Sequence, residues 1–429
     1  MTQETPIVIK DREELIFILS EAASLEHMIM CQYLFAAFSL KRDVSEGVTA
    51  PQLEAIKRWE RTVSHVAAQE MLHLALVSNL LTSIGSVPYF SRPNFPQFAK
   101  YYPPHIQMGL HPFGEHALQH FLYLERPEGM DLEDAPEFQV LTEEGLLSGL
   151  DDDQLVPQAQ NFLTVGHLYR GIEQGFRFLV DKYGEQRVFI GPPRAQATQK
   201  QFGWPELVPV TNLASAIQAI ETIVEQGEGA RGDWKEAHFG KFWTTLQEFR
   251  SLKQQDPDFE PARPVQAAAV APPSDTNVFM RITAPLTADV SKLFNASYEV
   301  LLQMLTRYFV HGTESEDELM TLSSTAVDAM FLLIKPLGEM LTTLPVGSHL
   351  AGKTTGPCFE IFRTGYTLPH RYAAWTILHE RLLELAGYSD KLVRDFPAAP
   401  KGLAEVGGNA RKLAAKLSTV LNTMSVNTH

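Results

Sequence analysis

AAQEMLHLALVSNLL, residues 67–81, contains the motif on which the reading turns: Glu70-Met71-Leu72-His73. In a helix, residues three apart share a face and lie about 4.5 Å apart along the axis. A carboxylate and an imidazole placed so can bind one metal centre. Bundles that hold two metal ions carry Glu-x-x-His on two helices and a Glu on each of two others. Alone, the motif arises by chance in many long helices, so its surroundings decide.

The helix that carries it reads from about Pro51 to Ile84, with proline in the first turn and Gly85 just past the end. Before it comes another helix. Asp11 with Glu14 three residues later suggests a capping box. Leu15, Ile18, Leu19, Ala22, Leu25, Ile29 and Tyr33 then keep the 3.6-residue period. From Met28 to Phe38 this helix is apolar almost all round, which predicts a central, buried position. Glu26 lies beside that segment. A lone buried carboxylate is costly unless it is paired or holds a metal, and a cation between Glu26, Glu70 and His73 would offset that cost. A hydrogen bond between Glu26 and His73 or Tyr33, without metal, is the competing reading. His27 is about 100° round the helix and is expected to face elsewhere.

Beyond Gly85 the pattern breaks. Residues 86–156 are rich in proline, glycine and aromatics, with one helical piece at Glu115–Leu124, and a connection this long suggests a cover over a site. Helical periodicity returns at about Gln158–Tyr183, then at Asn212–Gln226, and again from Trp234 to Lys253 after GEGARG (227–232). The proline- and alanine-rich stretch 256–277 reads as an extended linker or strap between residues 1–255 and a C-terminal helical region, 278–429. Helices are expected there at about 287–311, 315–344, 369–387 and 402–424, with a kink or break at Pro336. No stretch shows sustained β alternation, and the architecture is all-α: a four-helix bundle followed by a second helical region.

The third helix offers His167 and Glu173, about 240° out of phase, so a straight helix cannot point both at one centre. Gly166 and Gly171 flank His167 and permit a close helix approach. Glu225 and His238 follow, thirteen residues apart. They can serve one centre only if the glycines at 227 and 229 let the chain fold back. Tyr33 and Tyr169 could stand near the centre as hydrogen-bond donors, although core aromatics with satisfied hydroxyls are commoner. His111, His116 and His120 could extend a pocket, but loop histidines are more often exposed. Asp151–Asp153 lacks the spacing of a calcium loop and reads as a solvated turn. His379-Glu380 is assigned to structure and Cys31 to the core. There is no Gly-x-Gly-x-x-Gly at a strand–helix junction, no Walker loop and no Gly-x-Ser-x-Gly elbow, so nicotinamide, nucleotide and serine-hydrolase functions lack support.

The whole chain is 429 residues, 45% hydrophobic and 20% charged, an ordinary globular balance. Its net charge of −15 repels phosphate backbones, so nucleic acid is not expected as a partner. Two cysteines make no disulfide framework, and residues 1–10 lack the pattern of a signal peptide. Met28–Phe38, the most apolar stretch, is too short for a membrane span. A cytoplasmic protein without a membrane partner is expected, and a homodimer is open to a helical chain of this size.

LEHMIMCQYLFAAFSLK (25–41), AAQEMLHLALVSNLL (67–81), TVGHLYRGIEQGF (164–176), IVEQGEG (223–229) and AHFGKF (237–242) together resemble ferritin-like proteins of the iminophenyl-pyruvate dimer synthase type. That group includes a domain of violacein- and rebeccamycin-pathway enzymes, which couple two amino-acid-derived imines. LFNASYEVLLQML (293–305) and AMFLLIKPLGEMLTTLP (329–345) extend the likeness over most of the chain. The resemblance implies a ferritin-like bundle with Glu26, Glu70, His73, Glu225 and His238 at metal-ligand positions. Where relatives commonly carry glutamate, this chain has His167, which removes a negative charge; His167 is preferred to Glu173 as the third-helix ligand. Carboxylate and imidazole donors suit iron, two per chain, or manganese. The implied activity is a dimetal oxidase acting on an amino-acid-derived small molecule. The large insertion argues against an iron-storage cage. A ferritin-like scaffold without catalysis is the alternative, and an enzyme dependent on a separate delivery protein is a third.

Overall fold

The structure is a computed structural model and describes residues 6–97, 107–138, 157, 160, 162–229, 233–272, 280–363, 367 and 369–424. Two long, uninterrupted helices form its axis. Helix α1 spans Arg12–Ser39, and every residue from Ala22 to Tyr33 is buried, as its all-round apolar surface requires. Asp11 caps it by accepting from the Glu14 N–H. The Glu14 carboxylate takes the N–H of Lys10, so only half of the expected capping box forms. Helix α2 spans Ala50–Ser83. Thr49 and Gln52 make its capping box, and Gly85 takes a positive φ of 90° just past its end.

The other two positions of the bundle are each filled by two shorter helices. Helix α3 (Glu115–Leu124) lies in the 86–156 insertion, and α4 (Val165–Tyr183) follows it. Helix α5 (Leu213–Gly227) packs on α4 and α2, whereas α6 (His238–Gln255) packs on α3 and α2. Thr164 caps α4, so that helix starts later than its periodicity predicts; the expected start at Gln158 lies outside the described residues. Gly171 and Gly175 do not serve helix approach. A side chain there would meet Ile7 or Ile9 at under 3 Å, because the N-terminal segment is laid along α4.

The remaining helices of more than four residues are α7 (Pro285–Phe309), α8 (Glu316–Ala329), a π turn (Met330–Ile334), α9 (Lys335–Leu341), α10 (Arg371–Asp395) and α11 (Gly402–Leu421). Of the kink or break expected at Pro336, the break does not occur. The turn before it widens instead, and the carbonyl of Leu332, four residues earlier, accepts from Asn409 Nδ2 at 3.3 Å. The described residues Glu316–Leu341 are long and apolar enough to cross a membrane by length and composition, yet α8 packs on α7 and α11. The strap is fixed by the Arg263 N–H on Ser39 O and by two short parallel pairs, β1 (Val265–Gln266) with β4 (Thr354–Thr355) and β2 (Ala268–Ala269) with β3 (Met280–Arg281). One apolar core runs from Ile7 to Met424 through both halves of the chain.

Candidate metal centre

The interruptions in the bundle fall at one level, and a buried polar cluster sits there. Helix α1 contributes Glu26, and α2 contributes Glu70 and His73 on one face, as the three-residue spacing predicts. Glu125 follows the last residue of α3, and His238 is the first residue of α6. All five side chains are buried, none more than 4% exposed.

Two groups of donors emerge. Glu26, Glu70 and His73 place ligand-capable atoms within 4.8 Å of one another, and so do Glu70, Glu125 and His238. Glu70 belongs to both. Its Oε2 accepts from His73 Nδ1 at 2.9 Å, and its Oε1 lies 2.8 Å from His238 Nδ1. His73 Nδ1 is 3.6 Å from Glu26 Oε2, and His238 Nδ1 is 3.5 Å from Glu125 Oε2. The two imidazoles stand nearly parallel, 5.5 Å apart. One carboxylate thus faces an imidazole with each of its oxygens, and a further carboxylate stands behind each imidazole.

The outer oxygens are held by tyrosines. Tyr169 donates to Glu26 Oε1 and Tyr33 to Glu125 Oε1, both at 2.5 Å. Burial raises both phenols well above their ordinary range, and the adjacent carboxylates add to it, so they remain donors. His73 Nε2 lies 3.0 Å from Gln226 Oε1. Burial pushes the Glu26 carboxyl up to about 7, against the pull of the His73 hydrogen bond. At Glu70 burial pushes the same way, but His73 and His238 outweigh it and hold the carboxyl well below the usual range. Burial pulls both histidines down, and the carboxylates facing them reverse this: Glu70 and Glu26 raise His73, while Glu70 and Glu125 raise His238. Protons on the imidazoles therefore supply the positive charge this cluster demands. A cation can supply the same charge in their place.

The donor set fits such a cation. Among the described residues, Glu70 Oε1 and both ring nitrogens of His238 have no aligned hydrogen-bond partner. Glu70 Oε1 and His238 Nδ1 still face each other at 2.8 Å, so the atom left without any facing partner is His238 Nε2, and leaving a buried polar atom so costs about 1–3 kcal/mol. Carboxylate oxygens and imidazole nitrogens without thiolate suit iron or manganese.

The expected ligands divide. Glu26, Glu70, His73 and His238 come together. Glu225 does not: it is exposed on α5, one residue before the Gln226 that reaches His73. Glu173 is also outside, paired with Arg177 at 2.7 Å. His167 is buried in the first turn of α4 and belongs to neither group of donors. The fold-back needed at the glycines does occur: Gly229 takes φ 90° between α5 and α6. It brings in Glu228, whose Oε1 accepts from the Gly166 N–H at 2.5 Å; a side chain at Gly166 would strike that carboxylate. Burial pushes Glu228 up to about 7.

Glu125 is the residue that sequence reasoning missed. Its signal was a carboxylate ending an apolar helix within the insertion. Of His111, His116 and His120, only His116 is exposed. His120 Nδ1 donates to Asp134 Oδ2 at 2.8 Å and its ring stacks on Phe138, with His111 against the same ring. Asp151–Asp153 lie outside the described residues.

A ferritin-like family model matches residues 19–247, more than half of the chain. The chain is similar to dichlorochromopyrrolate synthase of Lentzea aerocolonigenes, 26% identical over 91% of this chain and 41% of that one. It is 27% identical to 2-imino-3-(indol-3-yl)propanoate dimerase of Chromobacterium violaceum, over 82% of this chain and 34% of the relative. It therefore spans less than half the length of either. A solved ferritin-like protein from Caulobacter vibrioides aligns at a TM-score of 0.43 and 18% identity, covering 71% of this chain and 89% of that one. The matched span runs from α1 into α6 and carries every member of the cluster, and on that match the chain belongs to the ferritin-like family.

Proposed function

We propose that this protein is a dimetal oxidoreductase, with two iron ions or manganese as the alternative, that oxidises an amino-acid-derived small molecule with dioxygen in secondary metabolism. The observation that carries the reading is Glu70, a buried carboxylate common to two groups of donors. Glu26 and His73 would complete one metal position, and Glu125 and His238 the other. Two such ions, when bound, supply two-electron redox chemistry, which the protein directs by geometry and by a dry surrounding. Tyr169 and Tyr33 fix the carboxylates of Glu26 and Glu125 through short hydrogen bonds, so both groups are oriented before a cation arrives. The core around α1 excludes water from the cluster.

The names of the two relatives support a substrate of this class and a place in secondary metabolism. With this reading go a small-molecule substrate, a cytoplasmic protein without nucleic-acid or membrane partner, and a homodimer as its assembly. The test is elemental analysis of protein purified without added metal, followed by oxygen consumption with aromatic amino-acid derivatives. About two iron or manganese per chain is expected. Near-zero metal after anaerobic reconstitution with Fe(II) would sink the reading. One observation favours a non-catalytic scaffold: both ring nitrogens of His73 already have partners, Glu70 and Gln226. The same metal analysis decides between the two.

A further inference from the structure

The helix pair α1–α2 has a second face. While Glu70 and His73 turn to the metal cluster, Ala68, Met71 and Ala75 of α2 line an open cavity of about 310 Å³, joined by His27 and Met30 of α1. Leu301, Leu305 and Phe309 of α7 form the opposite wall, and Trp204, Phe90 and Phe359 close the sides. Protein interiors leave few voids larger than a water molecule, so a space of this volume is not a packing fault. It falls in the size range of small-molecule sites.

The lining states what it would accept. Its inner polar groups are His27 and Tyr298, and these bond to each other. The charged lining residues are Glu60, Arg61 and Lys335, and Lys335 Nζ lies 3.4 Å from Glu60 Oε1. The remaining walls are aromatic rings, methionines and aliphatic chains, which suit a flat apolar body. One wall is the π turn itself, through Met330, Phe331 and Ile334. Such turns recur at functional sites. Phe331 is 65% exposed there, an aromatic held at the cavity rim instead of in the core.

We propose that this cavity binds an uncharged, ring-bearing small molecule, on the side of α1–α2 opposite the metal cluster. The site does not depend on metal. The test titrates the neutral dye N-phenyl-1-naphthylamine into the full chain. Saturable binding of one dye is expected, weakened at least about tenfold by Ala68→Trp and by Ala75→Trp, which fill the cavity from half-buried positions. Absence of saturation, or unchanged affinity in both variants, overturns the proposal. Should neither variant fold, energy transfer from tryptophan to dye is read in the chain with its cavity unfilled. Trp204→Phe should reduce it, and unchanged transfer overturns the proposal. Glu70→Ala should leave the dye affinity within about twofold, since the altered side chain faces away. Loss of dye binding there would place the dye in the cluster and overturn the assignment, whereas loss of metal alone would leave it standing.

Discussion

Two buried polar centres in this molecule look alike by burial and differ in their accounts of charge. In the C-terminal region, Arg307 and Glu314 are 1% and 0% exposed and form an ion pair. Glu314 Oε1 accepts from Arg307 Nε at 2.7 Å and Trp375 Nε1 at 3.2 Å, while its Oε2 accepts from the Gly312 N–H at 2.8 Å. One cation meets one anion, and the carboxylate oxygens are filled by the chain's own donors. Around Glu70, three carboxylates face two imidazoles, and three buried polar atoms lack an aligned partner among the described residues. The first centre is complete as a structure. The second has the donors to take up a cation. Burial of charge alone does not mark a functional site; an excess of acceptors does.

That contrast can be broken by substitution. Glu70→Ala removes the carboxylate common to both metal positions, so the metal content should fall from about two ions per chain to none. Elemental analysis reads this directly, and retention of both ions would dissolve the contrast. Glu314→Ala should act on stability and leave metal alone. It strands a buried guanidinium, at a cost of about 3–5 kcal/mol, visible as a lower denaturation midpoint with metal per chain unchanged. Glu125→Gln sharpens the comparison within the cluster. It should cost about one of the two ions, because it belongs to only one group of donors. If both ions stay, Glu125 is only an acceptor for Tyr33. Tyr169→Phe removes the donor to Glu26 Oε1 and should lower stability by about 1 kcal/mol in a denaturant melt. Glu225→Gln is the smallest: an exposed position should change neither metal content nor, beyond about 0.5 kcal/mol, stability.

What the sequence made legible was what helical periodicity encodes. The long helices, their proline and glycine boundaries, and the shared face of Glu70 and His73 all follow from the 3.6-residue repeat. Glu26 was recoverable because a carboxylate in an apolar helix must be compensated. The other members of the cluster lie where the helices end, and there periodicity says nothing. Glu125 follows the end of a short helix in a long insertion, and no local pattern separates it from any surface glutamate. Glu225 and Glu228 are three residues apart, but the helix stops between them, at Gly227. Glu228 thereby turns inward to α4, while Glu225 stays on the outer face. His238 was found through resemblance, and its place depends on the reversal at Gly229. The π turn shows the same limit: Pro336 signals a disturbance, and only the contact with Asn409 shows that the helix widens instead of stopping.

The interruptions in two of the four bundle positions have a mechanical consequence. The end of α3, the start of α4, the end of α5 and the start of α6 meet at the cluster, where only α1 and α2 are continuous. Ions held by the two donor groups, Glu26–Glu70–His73 and Glu70–Glu125–His238, would act as rivets through segments that lie far apart along the chain. Closing long loops is where a cross-link removes most freedom from the unfolded state. A rivet that can be withdrawn would make the seam between half-helices the part of the molecule whose rigidity follows the supply of metal.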